Sequence, residues 1–258
     1  MVSLYKGLMA IYFGVAALCM VGGYVYLTHY PNGFVEYLIT LLVILAATIS
    51  ILHRLAKEKF DREVTSLFYN CFVNAYIQAL TDSIGKKRSR GFRSSFACLT
   101  AQAYEALGDY DSLYASCQNI TIRSHMPIFH RRMFSYYLNR GEMEFAKEQI
   151  TVLNALSASS KNRAGKTLID RFIKECENAY QVRMGNYDDA EKNYTEMLGK
   201  EGDIPLITRV SYAFALGQVL VLKGKKDEAH THLIFVSSKG GDTKYKKDAD
   251  KLLAQPDH

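Results

Sequence analysis

The chain has 258 residues, of which 48% are hydrophobic, and a formal net charge of +6. This length accommodates a membrane segment and one further domain of ordinary size, and such a domain buries a core without disulfides or metals. Proline is scarce (4 residues), and apolar residues recur with a regular period over long stretches. Both features favour helices over a turn-rich β-sandwich. The five cysteines are scattered without a Cys-x-x-Cys pair, so they predict reduced, buried thiols instead of a disulfide framework or a zinc site.

Two nearly uncharged stretches at the N-terminus predict a transmembrane helical hairpin. The first, Leu8–Leu27, has no charged residue. At about 1.5 Å per residue it is long enough to cross a hydrocarbon core of about 30 Å. The second, about Phe34–Leu52, carries only Glu36, close to its outer end. The link between them is short and rich in turn-forming residues, so the two helices are expected to run antiparallel. We assign residues 1–55 to this hairpin.

Three other interpretations of the N-terminus remain open from the sequence. A cleaved signal peptide would still leave the second apolar stretch in place. A lipoprotein would acylate Cys19, although Leu18 stands where a small residue is expected. The third is a soluble helical hairpin.

Basic residues predict the orientation of the hairpin. Lys6 precedes the first stretch, the link has no Lys or Arg, and several basic residues follow the second stretch. Because positive residues stay on the cytoplasmic side, both termini are expected there, in a bacterial cell membrane. The chain is thus predicted to be an integral membrane protein. The candidate contacts with lipid headgroups are Arg54, Lys57, Lys59, Arg62, Lys86, Lys87, Arg88 and Arg90.

The segment 56–91 connects the hairpin to the rest of the chain. Apolar residues recur at helical spacing from Phe60 to Leu80, which predicts one long helix over 56–84. Gly85 and a basic turn that ends at residue 91 are expected to follow it.

A pattern then repeats four times: an apolar helix, a glycine, a short polar turn and a second helix. The glycines are separated by 33, 44 and 39 residues. A period near 34 residues is typical of helix–turn–helix repeats. Each glycine is expected to end its helix in a left-handed conformation. The four are Gly108, Gly141, Gly185 and Gly224.

The turn at Gly185–Ala190, with the sequence Gly-Asn-Tyr-Asp-Asp-Ala, resembles the tetratricopeptide repeat family. The resemblance covers about 92–238 and departs from the family at Leu113, where alanine is usual. It implies an all-α fold in which residues 92–258 form an α-solenoid of about four degenerate helix pairs. A short polar helix over Lys244–Leu253 is expected to cap its exposed end.

The same resemblance implies a concave groove lined by the first helix of each pair. Ordinary packing between repeats is the alternative role for the inward positions. They are Gln102, Glu105, Arg131, Ser135, Glu175, Phe214 and Gln218.

No arrangement of residues predicts catalysis, a metal or a cofactor, and the basic clusters are too local for a nucleic-acid surface. The chain is therefore predicted not to be an enzyme but a membrane-anchored scaffold or adaptor. Its cytoplasmic groove would bind an unidentified protein or peptide, and its basic residues would contact membrane lipid. A structural subunit that joins a membrane complex through its hairpin is the alternative. A third hypothesis, repeats that regulate or carry an enzymatic activity, has no support in the residues.

Overall fold

A computed structural model describes residues 2–30, 34–84, 89–199 and 204–255, and all regular structure in those ranges is helical. The predicted all-α class is therefore confirmed. The chain divides into two compact units, Met1–Ser66 and Leu67–His258. This division falls inside the predicted connecting segment 56–91.

The first unit contains α1, Val2–His29, and α2, Phe34–Phe60, followed by a π-helical turn at Asp61–Thr65. A 3₁₀ turn at Arg123–His125 precedes α7. The later helices are α3, Ser66–Tyr69; α4, Val73–Ile84; α5, Arg90–Leu107; α6, Tyr110–Cys117; α7, Met126–Arg140; α8, Met143–Ser159; α9, Arg163–Arg183; α10, Tyr187–Gly199; α11, Leu206–Leu222; α12, Lys226–Lys239; and α13, Lys244–Leu253.

In the first unit, α1 and α2 pack against each other around Tyr37. Its hydroxyl donates a hydrogen bond to the backbone carbonyl of Cys19 over 2.6 Å. Its ring stacks on Tyr26, with the two ring centroids 6.3 Å apart. A Cβ at Gly23 would lie 2.0 Å from the Tyr37 ring, so this close approach depends on glycine.

Most apolar side chains of the hairpin lie on its surface. The two helices are long and apolar enough to cross a membrane, with mean hydropathies of 1.8 within Ala10–His29 and 2.3 within Phe34–Tyr69. Only 6% of the first apolar window and 0% of the second are buried. Leu18 and Val43, for example, are 74% and 61% exposed.

The prediction of one continuous helix over 56–84 is wrong, because the chain turns at Cys71, between α3 and α4. Cys71 has a φ of 66°, a left-handed conformation that a helix cannot continue through. The carboxylate of Asp242 accepts hydrogen bonds from the backbone N–H groups of Val73, over 2.7 Å, and Asn74, over 2.9 Å. It thereby caps the N-terminus of α4 from the other end of the second unit.

Four helix pairs follow: α5 with α6, α7 with α8, α9 with α10, and α11 with α12. Each pair is joined at one of the four glycines singled out in the sequence. Their φ values are 78° at Gly108, 74° at Gly141, 84° at Gly185 and 75° at Gly224, which confirms the predicted left-handed turns. The tight turn folds the second helix back on the first.

Apolar side chains between successive helices form the core of the second unit. Leu113, which departs from the alanine of the tetratricopeptide pattern, is fully buried. One cluster joins α5, α6 and α7 and contains Ala97, Cys98, Ala101, Leu113, Cys117, Ile120 and Met133. A second joins α7, α8 and α9 and contains Phe134, Ala146, Leu153, Ile169, Phe172, Ile173 and Cys176.

The last helix, α13, returns to the first helix pair. Its bounds, Lys244–Leu253, match the prediction from the sequence, but it does more than cover an exposed end. It packs against α12 and α11 and reaches α5. The ammonium group of Lys244 donates a hydrogen bond to the Tyr110 hydroxyl over 2.6 Å. The array of helix pairs is thus joined end to end within the second unit.

Candidate functional site

The inner faces of α5, α7, α9, α11 and α13 surround one cavity of about 1030 Å³ within the second unit. The first helix of each pair contributes to its wall because the glycine turns place the second helices behind them. All seven residues predicted to line a groove lie on this wall: Gln102, Glu105, Arg131, Ser135, Glu175, Phe214 and Gln218. Whether they bind a partner stays a prediction.

A buried carboxylate, Glu105 on α5, is the centre of a polar network on the wall. One of its oxygens accepts hydrogen bonds from Nη1 of Arg131, over 3.0 Å, and from the Ser135 hydroxyl, over 2.5 Å. The other oxygen pairs with Nη1 of Arg132. The side chains of Glu105 and Arg132 are only 8% and 11% exposed. Both guanidinium groups come from α7, so the network ties α7 to α5.

A second carboxylate, Glu175 on α9, extends the network. Nε of Arg131 lies 3.4 Å from one Glu175 oxygen. The hydroxyl of Tyr212, on α11, donates to the other oxygen over 2.6 Å. Arg171 approaches the same oxygen at 3.9 Å. Four successive first helices, α5, α7, α9 and α11, are therefore linked through polar side chains on one wall.

The charges of this network shift its protonation equilibria. Burial by itself would raise the pKa of Glu105, but Arg131 and Arg132 outweigh that effect and hold the pKa well below its usual range. Burial would lower the pKa of Arg131, yet the charge of Glu105 raises it above its ordinary value. Burial, followed by the charge of Glu175, raises the pKa of Tyr212. Glu105 and Arg131 are therefore charged, and Tyr212 is a neutral donor, at neutral pH.

Acid is expected to weaken the second unit through Glu105. A carboxylate whose folded pKa lies below its unfolded value, about 4.3, contributes stability that is complete above about pH 5 and is lost as the pH falls. We therefore expect the difference in free energy of unfolding between the natural chain and Glu105→Gln to narrow between about pH 5 and pH 3. Denaturant unfolding followed by circular dichroism would measure it. A difference that stays constant over this interval would contradict the prediction.

The wall of the cavity carries an excess of positive charge. It has seven basic side chains and three carboxylates. This excess of four accounts for most of the net charge of +6 of the whole chain. The basic residues are Arg131, Arg132, Arg171, Arg183, Lys244, Lys247 and Lys251, and the acidic ones are Glu105, Glu175 and Asp248.

Several of these wall residues were not singled out from the sequence. Arg132 and Tyr212 occupy helix positions beside predicted ones, and their inward orientation depends on the packing of each helix. The contribution of α13, with Lys244, Tyr245 and Lys247, depends on the return of that helix to α5. The sequence predicts a short polar helix at Lys244–Leu253 but contains no signal for the surface that this helix meets.

The predicted headgroup residues that follow the hairpin are solvent-accessible. Arg54 donates a hydrogen bond to Glu58 over 2.9 Å, and Lys59 lies 3.6 Å from Glu63. These exposed pairs, one helical turn apart, leave the side chains accessible. Lys57 and Arg62 are exposed as well.

The second basic group has a different setting. Arg90 donates a hydrogen bond from Nη2 to the backbone carbonyl of Thr121 over 3.1 Å, which holds the start of α5 to the link before α7. A contact within the fold therefore engages this guanidinium. Lys86, Lys87 and Arg88 lie outside the described residues.

The cysteines are reduced and mostly buried. All five thiols are free, and four of them are buried. Burial raises the pKa of Cys98 to about 11 and those of Cys117 and Cys176 to about 12, so these thiols stay protonated and are weak nucleophiles. Within the described ranges, no group of three or more His, Cys, Asp and Glu side chains is placed to hold a metal ion.

The wall of the cavity combines charged donors with tyrosine and phenylalanine rings, an arrangement that can bind a ligand through hydrogen bonds, charge and apolar contact. Neither protein-family models, nor curated protein sequences, nor solved structures match the chain.

Proposed function

We propose that the chain is a membrane-anchored protein-interaction module. In this proposal α1 and α2 span the membrane, and the second unit, a tetratricopeptide-like solenoid, holds a segment of a partner protein in its cavity. The observation that carries the proposal is the cavity wall itself, to which the first helices of four consecutive pairs each contribute side chains. The left-handed glycine turns support the solenoid assignment.

The exposure of the hairpin supports an anchor. A core helix would bury most of its apolar side chains, whereas 6% and 0% of the two apolar windows are buried. A surface of this kind is unfavourable in water and favourable in a hydrocarbon core. In a helix every backbone polar group is paired internally, as that environment requires.

Charge supports a cytoplasmic location for the second unit. Lys6 precedes the first apolar stretch, Leu8–Leu27, and the residues between α1 and α2 include no Lys or Arg. Four basic residues follow the second apolar stretch and would lie near anionic headgroups, where each contributes about 1 kcal/mol to binding. They are Arg54, Lys57, Lys59 and Arg62. By the positive-inside rule, this distribution of charge supports a cytoplasmic location for both termini.

Site-specific photocrosslinking in native membranes tests the proposal. A photoreactive residue at Gln218, which is exposed and lines the cavity, is expected to form a discrete adduct with a partner protein. The same residue at Lys147, which is exposed on α8 and does not line the cavity, is expected to form none. Adducts of equal yield at both positions, or at neither, would contradict the proposed role of the cavity.

An alternative function is a structural subunit that joins a membrane complex through its hairpin. The observation that favours it is the amount of helix surface that α1 and α2 leave uncovered, including Gly14 and Gly22, where a Cβ would meet nothing within 4 Å. Replacing α1 and α2 by an unrelated membrane hairpin separates the two functions. The Gln218 adduct survives this replacement if the cavity binds the partner, and it disappears if the hairpin does.

A further inference from the structure

Two cations on the cavity wall have neither a hydrogen bond nor an ion pair within the part of the chain that the structure describes. Arg183, at the end of α9, and Lys247, on α13, make no hydrogen bond or ion pair with any described residue. Each carboxylate of the wall, in contrast, is engaged by a basic group. Glu105 and Glu175 bind the arginines of the network, and Asp248 pairs with Lys251 over 3.0 Å. The uncompensated charge of the wall is therefore positive and accessible.

A third group on the wall is also incompletely satisfied. Nε of Arg132 is buried and has no hydrogen-bond acceptor among the described residues. A buried donor without an acceptor is unfavourable, and such groups are normally satisfied by water or by a ligand. Arg132 lines the same cavity as Arg183 and Lys247, but its Nε is buried, so the accessible unpaired cations of the wall are Arg183 and Lys247.

The size and composition of the cavity favour an extended ligand over a small anion. Its volume of about 1030 Å³ lies at the upper end of the range for small-molecule sites. Aromatic rings lie among the cations: Phe214 and Tyr245 pack with their centroids 5.7 Å apart, and Tyr110 lies under the Lys244 ammonium at 5.0 Å. Cations on two different helices, on a wall that also carries aromatic rings, match a chain that carries several negative charges along its length.

We propose that the cavity binds an acidic peptide segment, in which two or more Asp or Glu side chains meet Arg183 and Lys247. This inference rests on the proposed protein-interaction function and names the chemistry of the partner. Complementary charge across an interface makes binding selective, because a partner segment with the same sign of charge as the wall is repelled. A basic segment would face an excess of four positive charges on this wall.

A binding titration on the full chain tests the inference. The chain is placed in nanodiscs of zwitterionic phosphatidylcholine, so that the lipid adds no net charge. The probe is a fluorescein-labelled decapeptide of alternating glutamate and alanine, and its counterpart has lysine in place of glutamate. Fluorescence anisotropy is expected to show saturable binding of the glutamate peptide, weakened by added salt, and no binding of the lysine peptide.

Charge reversal localises the binding. The double variant Arg183→Glu with Lys247→Glu is expected to weaken binding of the glutamate peptide by about tenfold or more. The matched control, Lys147→Glu with Lys192→Glu, changes the net charge equally at exposed positions away from the cavity. It is expected to leave the affinity within about twofold. Circular dichroism of both variants establishes that each is folded.

Three results would overturn the inference. The first is the absence of saturable binding of the glutamate peptide. The second is an equal loss of affinity in the control variant, which would mean that the net charge of the protein attracts the peptide. The third is tighter binding of ATP than of the peptide, lost on reversal of Arg183 and Lys247, which would assign the cavity to a nucleotide.

The titration and the photocrosslinking separate this inference from the proposed function. If an adduct forms at Gln218 but the glutamate peptide does not bind, the protein-interaction function is supported and the preference of the cavity for acidic segments is excluded. Peptide binding together with loss of the adduct on hairpin replacement would locate the partner contact in the membrane, against the proposed function.

Discussion

Replacing Glu105 by alanine is expected to lower the free energy of unfolding of the full chain by about 3–5 kcal/mol, the range for removing one partner of a buried ion pair. The carboxylate is the shared partner of Arg131 and Arg132 and is almost completely buried. Without it, the Arg132 guanidinium loses its only ion-pair partner among the described residues. Denaturant unfolding in detergent, followed by circular dichroism, would measure the loss.

An exposed ion pair provides the matched control. Glu142 accepts a hydrogen bond from Arg140 over 2.7 Å, and the Arg140 side chain is 52% exposed. Glu142→Ala removes the same carboxylate chemistry where water screens the charges, so its effect on unfolding is expected to be small. If Glu105→Ala and Glu142→Ala unfold at the same denaturant concentration, the buried network contributes no stability and the prediction fails.

A double variant distinguishes unpaired charge from lost packing. In Glu105→Ala with Arg132→Met, the stranded guanidinium is gone and Arg131 keeps Glu175 as a partner. The double variant is therefore expected to be more stable than Glu105→Ala alone. A further loss of stability on adding Arg132→Met would show that the arginine contributes through its packing and not through its pairing with Glu105.

This network changes the interpretation of Arg131 that the sequence suggests. The resemblance to the tetratricopeptide family implies that Arg131 lines the groove, as a candidate contact for a partner or as part of the packing between repeats. The side chain does face the cavity, but Glu105 and Glu175 occupy its donors. A charge reversal at Arg131 would therefore test folding as much as binding, and Arg183 and Lys247 are the better probes of a ligand. The partners of an inward side chain depend on neighbouring helices, and sequence spacing alone does not identify them.

Local signals account for the parts of the fold that the sequence predicts well. A glycine between two apolar periodicities specifies a left-handed turn because other residues rarely adopt that conformation, and Gly108 and Gly224 both do. The resemblance to the tetratricopeptide family then implies which face of each first helix is inward. For this reason Gln102 and Gln218, more than a hundred residues apart, could both be predicted to face a common surface.

Non-local contacts account for the parts that could not be predicted. The apolar stripe over 56–84 continues without interruption through Cys71, and its helical period gives no sign of the break. Asp242 stabilises this break by accepting a hydrogen bond from the backbone N–H of Val73, which lies 169 residues earlier in the chain. The packing of α13 against α5 is likewise non-local, so the cations of that helix could not be assigned to the site from the sequence.

The close contact between Gly241 and the backbone of Cys71 leads to a second prediction with a large expected effect. Gly241→Ala is expected to lower the free energy of unfolding by about 2–5 kcal/mol, the sum of a left-handed alanine and an overpacked contact. Gly241 has a φ of 57°, and a Cβ there would lie 2.3 Å from the backbone carbonyl oxygen of Cys71. That backbone cannot move freely, because its carbonyl accepts the Asp242 N–H over 3.2 Å. Displacing Asp242 would in turn remove the cap from α4.

Gly224→Ala is the matched control, because it shares the left-handed backbone conformation of Gly241→Ala but not the steric contact with Cys71. Gly224 has a φ of 75°, but a Cβ there would meet nothing within 4 Å, so only the left-handed cost of about 1–2 kcal/mol applies. Hydrogen exchange gives an independent measurement, since loss of the cap should speed exchange of the α4 amides in Gly241→Ala but not in Gly224→Ala. Equal losses of stability, with unchanged exchange in α4, would mean that the Cys71 contact does not hold α4 in place. The larger loss at Gly241, with faster exchange confined to α4, would establish that the contact between Gly241 and Cys71 holds the N-terminus of α4 in place.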